Sequence, residues 1–395
     1  MVLFMLRLLT FFLLFSCSPG QQNNQPAKPV IIGSESAWKN QLFYGNRYIL
    51  LTNLPSQKQF SLADSLIKKG KLKRLFSPEH GFESNQADGV ILNSQPLYQG
   101  IPVVSLYGKK KSPDPLDFSD SDTLLIDIQD VGLRFYTYLS TVLNCIRVAA
   151  ETGIPVVILD RPNPLGGVLV EGPVLQDSLK SFIGALPVPI RYGLTLGEVM
   201  KMAIEENWIK SGKRPELKIV KMEGWKREYF WPETGLPWVP TSPNLPHFSS
   251  LFLYSGTCLF EGTAISEGRG TPTPFEWIGY PWANEGESQN LKEFGLKGEW
   301  VTRTPEDIPG KSVNTKFKGK TIPGIQITAE NYHQSSPLNW VVSFIEKQRK
   351  ENPGKIGFRR HLWLLYGQAN LELTDADQDM IRAFEQKRRN YFIYQ

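Results

Sequence analysis

Cysteine and histidine are scarce in this chain. Three cysteines and four histidines are scattered through 395 residues, at no spacing that would grip a metal ion, so no metal is expected. No candidate strand runs into a Gly-x-Gly-x-x-Gly turn, which argues against a nicotinamide or flavin enzyme and leaves no cofactor to expect. The Gly-x-Ser-x-Gly elbow of the α/β-hydrolases is missing too. So is a strong excess of charge: the net +5 drops by one once Arg7 leaves with the first 16 residues. That is too little for a dedicated nucleic-acid binder, and no nucleic-acid partner is expected. Lys109-Lys110-Lys111 and Lys387-Arg388-Arg389 read as short solvated runs. Beyond residue 16 no apolar run approaches membrane length, so the body is expected to be soluble.

What is present begins with an address. Leu3 to Phe15 are apolar apart from Arg7 and Thr10, a stretch too short for a membrane span and suited to a secretory signal over residues 1–16. Leu14-Phe15-Ser16-Cys17 resembles the bacterial lipobox, in which cleavage exposes the cysteine for acylation. Cys17 is the expected lipidation site and residues 17–40 a polar tether. The mature protein is then expected to be exported, periplasmic or at the cell surface, and held to the membrane by that anchor.

The body is 41% hydrophobic and 12% aromatic, enough for a filled core, and its length favours two domains. Apolar runs at 48–51, 74–76, 103–106, 124–126, 156–159 and 217–222 read as strands. Helical patterns at 61–69, 138–151 and 195–208 fall between them, and this alternation means βαβ units and a parallel sheet. The fold class expected is α/β, with a Rossmann-like, mainly parallel sheet domain over 41–255. A second, smaller α/β domain is expected over 256–395, with a strand at 324–328 and helices at 338–350 and 377–387. Cys145 falls in a helical pattern and Cys258 in an apolar segment read as a strand. Thr195 and Glu198 form a capping box, which gives Glu198 a structural role. The polar loop 109–121 is expected outside, whereas loops as long as 162–192 are usually functional. Trp225, Tyr229, Phe230, Trp231 and Trp238 crowd a proline-rich stretch. They are either core of an irregular segment, the commoner case, or stacking platforms for a sugar ring.

Three segments share one grammar, an apolar run that ends in acids. Residues 75–81 carry Glu79 and His80, residues 124–136 carry Asp127, Asp130 and Arg134, and residues 156–164 carry Asp160 and Arg161. Ligands of open α/β sheets bind at the carboxyl ends of strands, so these tips are expected to meet in one site. The plainer alternative is that each acid caps the helix after it. Further on, small residues between Glu261, Glu267 and Arg269 permit close backbone approach to a ligand.

The segments 76–81 (FSPEHG), 105–108 (SLYG), 127–138 (DIQDVGLRFYTY), 160–164 (DRPNP), 171–173 (EGP), 242–244 (SPN), 261–263 (EGT) and 266–271 (SEGRGT) occur in that order. Together they resemble the exo-β-N-acetylmuramidases of the NamZ type, long catalogued as a domain of unknown function, from about Tyr48 to the C-terminus. Thr52-Asn53-Leu54-Pro55 departs from the Asn-x-Thr-Gly turn usual there. The resemblance implies a Rossmann-like N-terminal domain, a smaller C-terminal α/β domain and a cleft between them. It also implies release of terminal N-acetylmuramic acid from the non-reducing end of peptidoglycan fragments, with those muramic acid glycosides as the partners.

Glycoside hydrolysis generally needs two carboxyls, one protonated to assist the leaving oxygen. Glu79, in a segment with no helix to cap, is the expected acid. Asp130 is the expected second carboxylate, with Asp127 and Glu267 as rivals. His80 orients Glu79, bonds a sugar hydroxyl or is satisfied within its loop. Muramic acid carries a lactyl carboxylate, which a guanidinium grips through two parallel hydrogen bonds. Among Arg134, Arg161, Arg191 and Arg269, the first and last are favoured; the alternative for each is a salt bridge to a motif acid. Asn163 and Asn244, set beside prolines, are rigid amides suited to the acetamido group or hydroxyls. Tyr136, Asp160, Glu171 and Glu261 complete the expected binding set from the motifs. The rival function is a lipoprotein that holds cell-wall sugars without cutting them, which needs no paired acids.

Overall fold

The computed structural model describes residues 28–43, 45–81 and 97–395. The expected signal peptide and the lipidation site Cys17 lie outside the described residues. In chain order the first half comprises α1 (Gly33–Lys39), β1 (Tyr48–Thr52), α2 (Leu54–Gln59), α3 (Leu62–Lys68), β2 (Leu72–Ser77), β3 (Leu97–Tyr98), β4 (Ile101–Ser105), β5 (Thr123–Asp127), α4 (Tyr138–Thr152), β6 (Val156–Leu159), α5 (Leu196–Glu205) and β7 (Leu217–Val220). Among the described residues these strands form one sheet in the order β3-β4-β2-β1-β5-β6-β7. It is parallel save for the short antiparallel edge β3.

Side chains along a strand alternate between faces. Ile49 and Leu51 accordingly join one core with Phe76, Ile126 and α4's Val142 and Ile146. Tyr48 and Leu50 join another with Leu75, Leu125 and α3's Leu62 and Leu66. Helices cover both faces, which is why these strands read as unbroken apolar runs. The strand order reverses at β1, the switch point where a dinucleotide would sit. Here that place is filled from within: Arg161 Nε donates to Asp127 Oδ1 at 2.6 Å, both side chains buried. Asn53 Nδ2 donates to the Gln129 carbonyl at 3.1 Å beside them.

Helix α6 (Phe248–Thr257) is buried along nearly its whole length and carries the chain across residue 255 into the second half. There β8 (Trp277–Gly279), β9 (Leu296–Trp300) and β10 (Gly324–Ala329) form an antiparallel sheet in the order β8-β10-β9. Helices α7 (Pro337–Glu351), α8 (Arg360–Tyr366) and α9 (Asp375–Arg388) follow. α7 lies so close to α6 that a Cβ on Gly256 would sit 2.4 Å from the Pro337 carbonyl oxygen.

Three local expectations are corrected. Cys258 is not in a strand but opens a 3-10 turn, Cys258–Gly262, at the end of α6. A segment buried on all sides has no polar face to reveal its period, so a buried helix and a buried strand look alike in sequence. Residues 33–39, read as the end of a tether, form α1, with Ala37 buried and the Gly33 amide donating to the Asp160 carbonyl at 2.8 Å. The 109–121 loop is not wholly outside, because Phe118 is buried with its ring centroid 5.6 Å from that of Phe76.

The C-terminal residues close over the carboxyl end of β6. Tyr394 Oη and Thr195 Oγ1 donate to Asp160 Oδ2 at 2.8 and 2.7 Å, and the Gly197 amide to Oδ1 at 2.9 Å. Burial pushes the Asp160 carboxyl up to about 6 against the pull of those hydrogen bonds. Its folded pKa therefore exceeds its unfolded one, so its contribution to stability is complete below about pH 4 and lost as pH rises through about 6, roughly 3 kcal/mol in all. Asp160→Asn is expected to flatten the decline of Tm between about pH 4 and 6.5. An unchanged slope in thermal melts would exclude Asp160 as its source.

Candidate active site

β2 ends at Ser77-Pro78 and the chain turns at once, the Gly81 amide donating to the Pro78 carbonyl at 3.1 Å. His80 and Gly81 both sit in the left-handed region, at φ 68° and 75°. For a histidine that conformation costs on the order of 1–2 kcal/mol, and such strain gathers at functional sites. The turn presents Glu79 and His80 to a cavity of about 580 Å³. The β5–α4 loop adds Tyr136 and Thr137, α6 adds Tyr254, the turn after it Cys258 and Glu261, the following loop Arg269 and Phe275, and α8 His361. Elements of both halves of the chain thus converge on one place.

Thr137 Oγ1 donates to Glu79 Oε2 at 2.6 Å, which orients the carboxyl. Tyr138 Oη donates to the Thr241 carbonyl at 2.9 Å and reaches the Glu79 carbonyl at 3.4 Å, tying the Glu79 turn to the Ser242-Pro243-Asn244 segment. Glu261 has different neighbours. Its Oε1 accepts from Arg269 Nη2 at 2.7 Å, and its Oε2 lies 3.4 Å from His361 Nε2. Burial by itself would raise this carboxyl, but Arg269 and His361 outweigh it and hold Glu261 well below the usual carboxylate range. The Arg269 guanidinium in turn lies 4.9 Å above the centre of the Phe275 ring. Burial drives the Cys258 thiol and the Tyr254 phenol well above their ordinary values. Cys258 is therefore a protonated piece of wall and no thiolate nucleophile.

Of the residues expected to be catalytic, the cavity brings together Glu79 and His80 and leaves out Asp127, Asp130 and Glu267. Asp127 is bound to Arg161. Asp130 Oδ2 accepts from Tyr192 Oη at 2.7 Å and from the Gly132 amide at 3.0 Å, bracing the 130–132 turn, and burial raises its carboxyl. Glu267 accepts from Lys316 Nζ at 2.8 Å. Of the expected binding residues, Tyr136, Glu261 and Arg269 line the cavity; Arg134, Asp160, Arg161, Asn163, Glu171, Arg191 and Asn244 do not. Arg134 is buried and donates to the carbonyls of Pro173, Val188, Leu365 and Tyr366. Arg191 pairs with Glu171 at 2.9 Å, and Glu171 also accepts from Ser336 Oγ at 2.9 Å. Asn163 Nδ2 donates to the Leu194 carbonyl at 2.9 Å and Asn244 Nδ2 to the Lys311 carbonyl at 2.8 Å. Pairing with a motif acid thus describes Arg161, Arg191 and Arg269 alike.

The crowded aromatics are core: Trp225, Phe230 and Trp231 are buried. The rings that line the cavity are those of Tyr107, Phe135, Tyr136, Phe182, Tyr254 and Phe275. Sequence reasoning did not single out Thr137, Tyr254, Phe275 or His361. Thr137 lies inside a matched segment, and the rarity of histidine was the one signal for His361. Tyr254 sits in an apolar stretch that marks only burial, and Phe275 lies between Pro274 and Glu276 in a segment with no period to read.

Residues 49–249 match the family model described as "Exo-beta-N-acetylmuramidase NamZ, N-terminal", and residues 252–394 match its C-terminal counterpart. The two matches meet inside α6. Over 324 residues the chain is 42% identical to the peptidoglycan β-N-acetylmuramidase NamZ of Bacillus subtilis strain 168, covering 79% of this chain and 76% of that protein. Among solved structures it is similar to two DUF1343 family proteins of Bacteroides fragilis NCTC 9343. BF0371 has a TM-score of 0.82 at 27% identity, and BF0379 a TM-score of 0.74 at 30% identity. Each comparison covers 93% of this chain and 99% of the other.

Proposed function

This chain belongs to the exo-β-N-acetylmuramidase NamZ family and is a glycosidase, and from that premise we propose that it releases terminal N-acetylmuramic acid from the non-reducing end of peptidoglycan fragments. The observation that carries this reading is the meeting of two carboxyls in one cavity. Glu79 comes from the β2 turn, Glu261 from the turn after α6, and Arg269 stands beside the latter. Glu79, oriented by Thr137, is the acid that gives its proton to the departing glycosidic oxygen. Glu261 is kept ionised by Arg269 and His361, so it faces the positive charge that develops at the anomeric carbon. It stands where Asp130 is expected from the sequence. Water then supplies the hydroxyl of the released sugar, and its other proton returns to the Glu79 carboxylate. Tyr136 and Tyr254 form the wall against which the sugar ring lies, Phe275 backs Arg269 from behind, and the strained turn offers His80 to a hydroxyl. Arg269 receives the lactyl carboxylate, the group that separates muramic acid from glucosamine. Cys17, read as an acylated anchor, would hold the enzyme in the compartment where such fragments arise.

The test uses aryl glycosides of N-acetylmuramic acid and N-acetylglucosamine, with peptidoglycan fragments whose non-reducing ends are free or capped. Release is expected from the muramic acid glycoside and from free ends. Arg269→Lys is expected to narrow the preference for muramic acid about tenfold, since an ammonium lacks the planar fork. Binding without any turnover would instead favour a sugar-holding lipoprotein.

A further inference from the structure

A second hollow of about 280 Å³ shares Glu261 and Arg269 with the active-site cavity. Its inner charges are matched. Lys316 Nζ donates to Glu267 Oε2 at 2.8 Å and to the carbonyls of Phe260 and Ile265 at 2.8 and 2.9 Å. Arg269 pairs with Glu261 at 2.7 Å and lies 3.7 Å from Glu267. Two lining cations are left over. Lys311 and Arg359 are both exposed, and neither forms an ion pair among the described residues. Their backbones are nonetheless fixed: the Lys311 carbonyl accepts from Asn244 Nδ2 at 2.8 Å, and the Arg359 amide donates to the Gly262 carbonyl at 2.9 Å. Two unmatched cations on fixed backbones in a hollow beside a catalytic cavity suit an anion delivered by the substrate.

We propose that this annex is the subsite for a peptide carried on the lactyl group of muramic acid, with a free carboxylate of that peptide meeting Lys311 and Arg359. The inference rests on the reading above, in which the lactyl carboxyl reaches Arg269. That carboxyl is where peptides are joined to muramic acid in peptidoglycan, so any extension of it continues past Arg269. The wall there, made by Arg269 and Glu261, is the one the cavity shares with the annex. Neutral or amidated peptides fit the space without the charge contact, and acidic ones gain it.

The experiment compares two substrates, muramyl-glucosamine disaccharide with a free lactyl group and the same disaccharide carrying an L-alanyl-D-isoglutamate dipeptide. The parent protein is expected to hydrolyse both. Lys311→Gln with Arg359→Gln is expected to lower the ratio of kcat/KM, dipeptide over free, roughly fivefold, as befits two exposed charge contacts. Lys311→Glu with Arg359→Glu should lower it further, and the difference should shrink in high salt. Parent protein that cleaves only the free disaccharide overturns the proposal, as does a ratio unmoved by either double variant. If the parent cleaves neither substrate, it is the reading of terminal muramic acid release that fails; the same ratio is then read from Kd by calorimetry, and equal ratios for parent and variants overturn the annex as well.

Discussion

Glu79→Gln is expected to leave the fold intact and to slow hydrolysis of a muramic acid glycoside with a poor leaving group by about 10³-fold, within the range a general acid supplies. The amide keeps the shape of the carboxyl and an oxygen to accept the Thr137 hydroxyl, so the β2 turn has no reason to move. What it lacks is a proton to give. The deficit should depend on the leaving group: a nitrophenolate departs without assistance, so its glycoside should lose much less turnover than the natural disaccharide. Steady-state kinetics on both substrates, with thermal melts as the control for folding, make the comparison. Near-parental turnover of the disaccharide would remove Glu79 from the chemistry.

Arg134→Lys is expected to act on stability, with a loss of about 3 kcal/mol or more. Nη1 donates to the Pro173 and Val188 carbonyls at 2.7 and 2.9 Å, and Nη2 to those of Leu365 and Tyr366 at 2.9 and 2.6 Å. A point ammonium cannot span both pairs, and each buried carbonyl left without a donor costs about 1–3 kcal/mol. The packing is close as well, since a Cβ on Gly367, at φ 93°, would lie 2.3 Å from Nη2. Because Arg134 ties the 162–192 loop to α8, which carries His361, activity should fall with Tm while the preference for muramic acid over glucosamine stays. A parental Tm with altered preference would return Arg134 to the substrate.

Arg134 also shows where sequence reasoning stops. It stands in the longest matched segment, beside Asp127 and Asp130, and nothing local separates it from Arg269. Both are guanidiniums among small and acidic residues. One is spent on backbone carbonyls and the other lines the cavity, because the buried carbonyls of the 162–192 loop and of the end of α8 need donors before any ligand arrives. The same requirement consumes Asp127 with Arg161, and Asp160 with Thr195 and Tyr394. The capping box of Thr195 and Glu198, by contrast, was legible and is formed, with 3.0 and 3.2 Å hydrogen bonds. Its partners are three residues apart, and local geometry alone makes them meet.

That contrast divides the molecule. Apolar runs of strand length, spaced by helical patterns, determined by themselves that this chain would build a parallel sheet covered on both faces, and the order of its motifs determined its family. Only the tertiary structure decided which carboxyls share a cavity. Glu79 and Glu261 come from separate halves of the chain, and His361 approaches Glu261 from 100 positions away. A hydrogen bond or ion pair is made with whichever group packing brings within reach, and no local pattern of residues records a partner that distant.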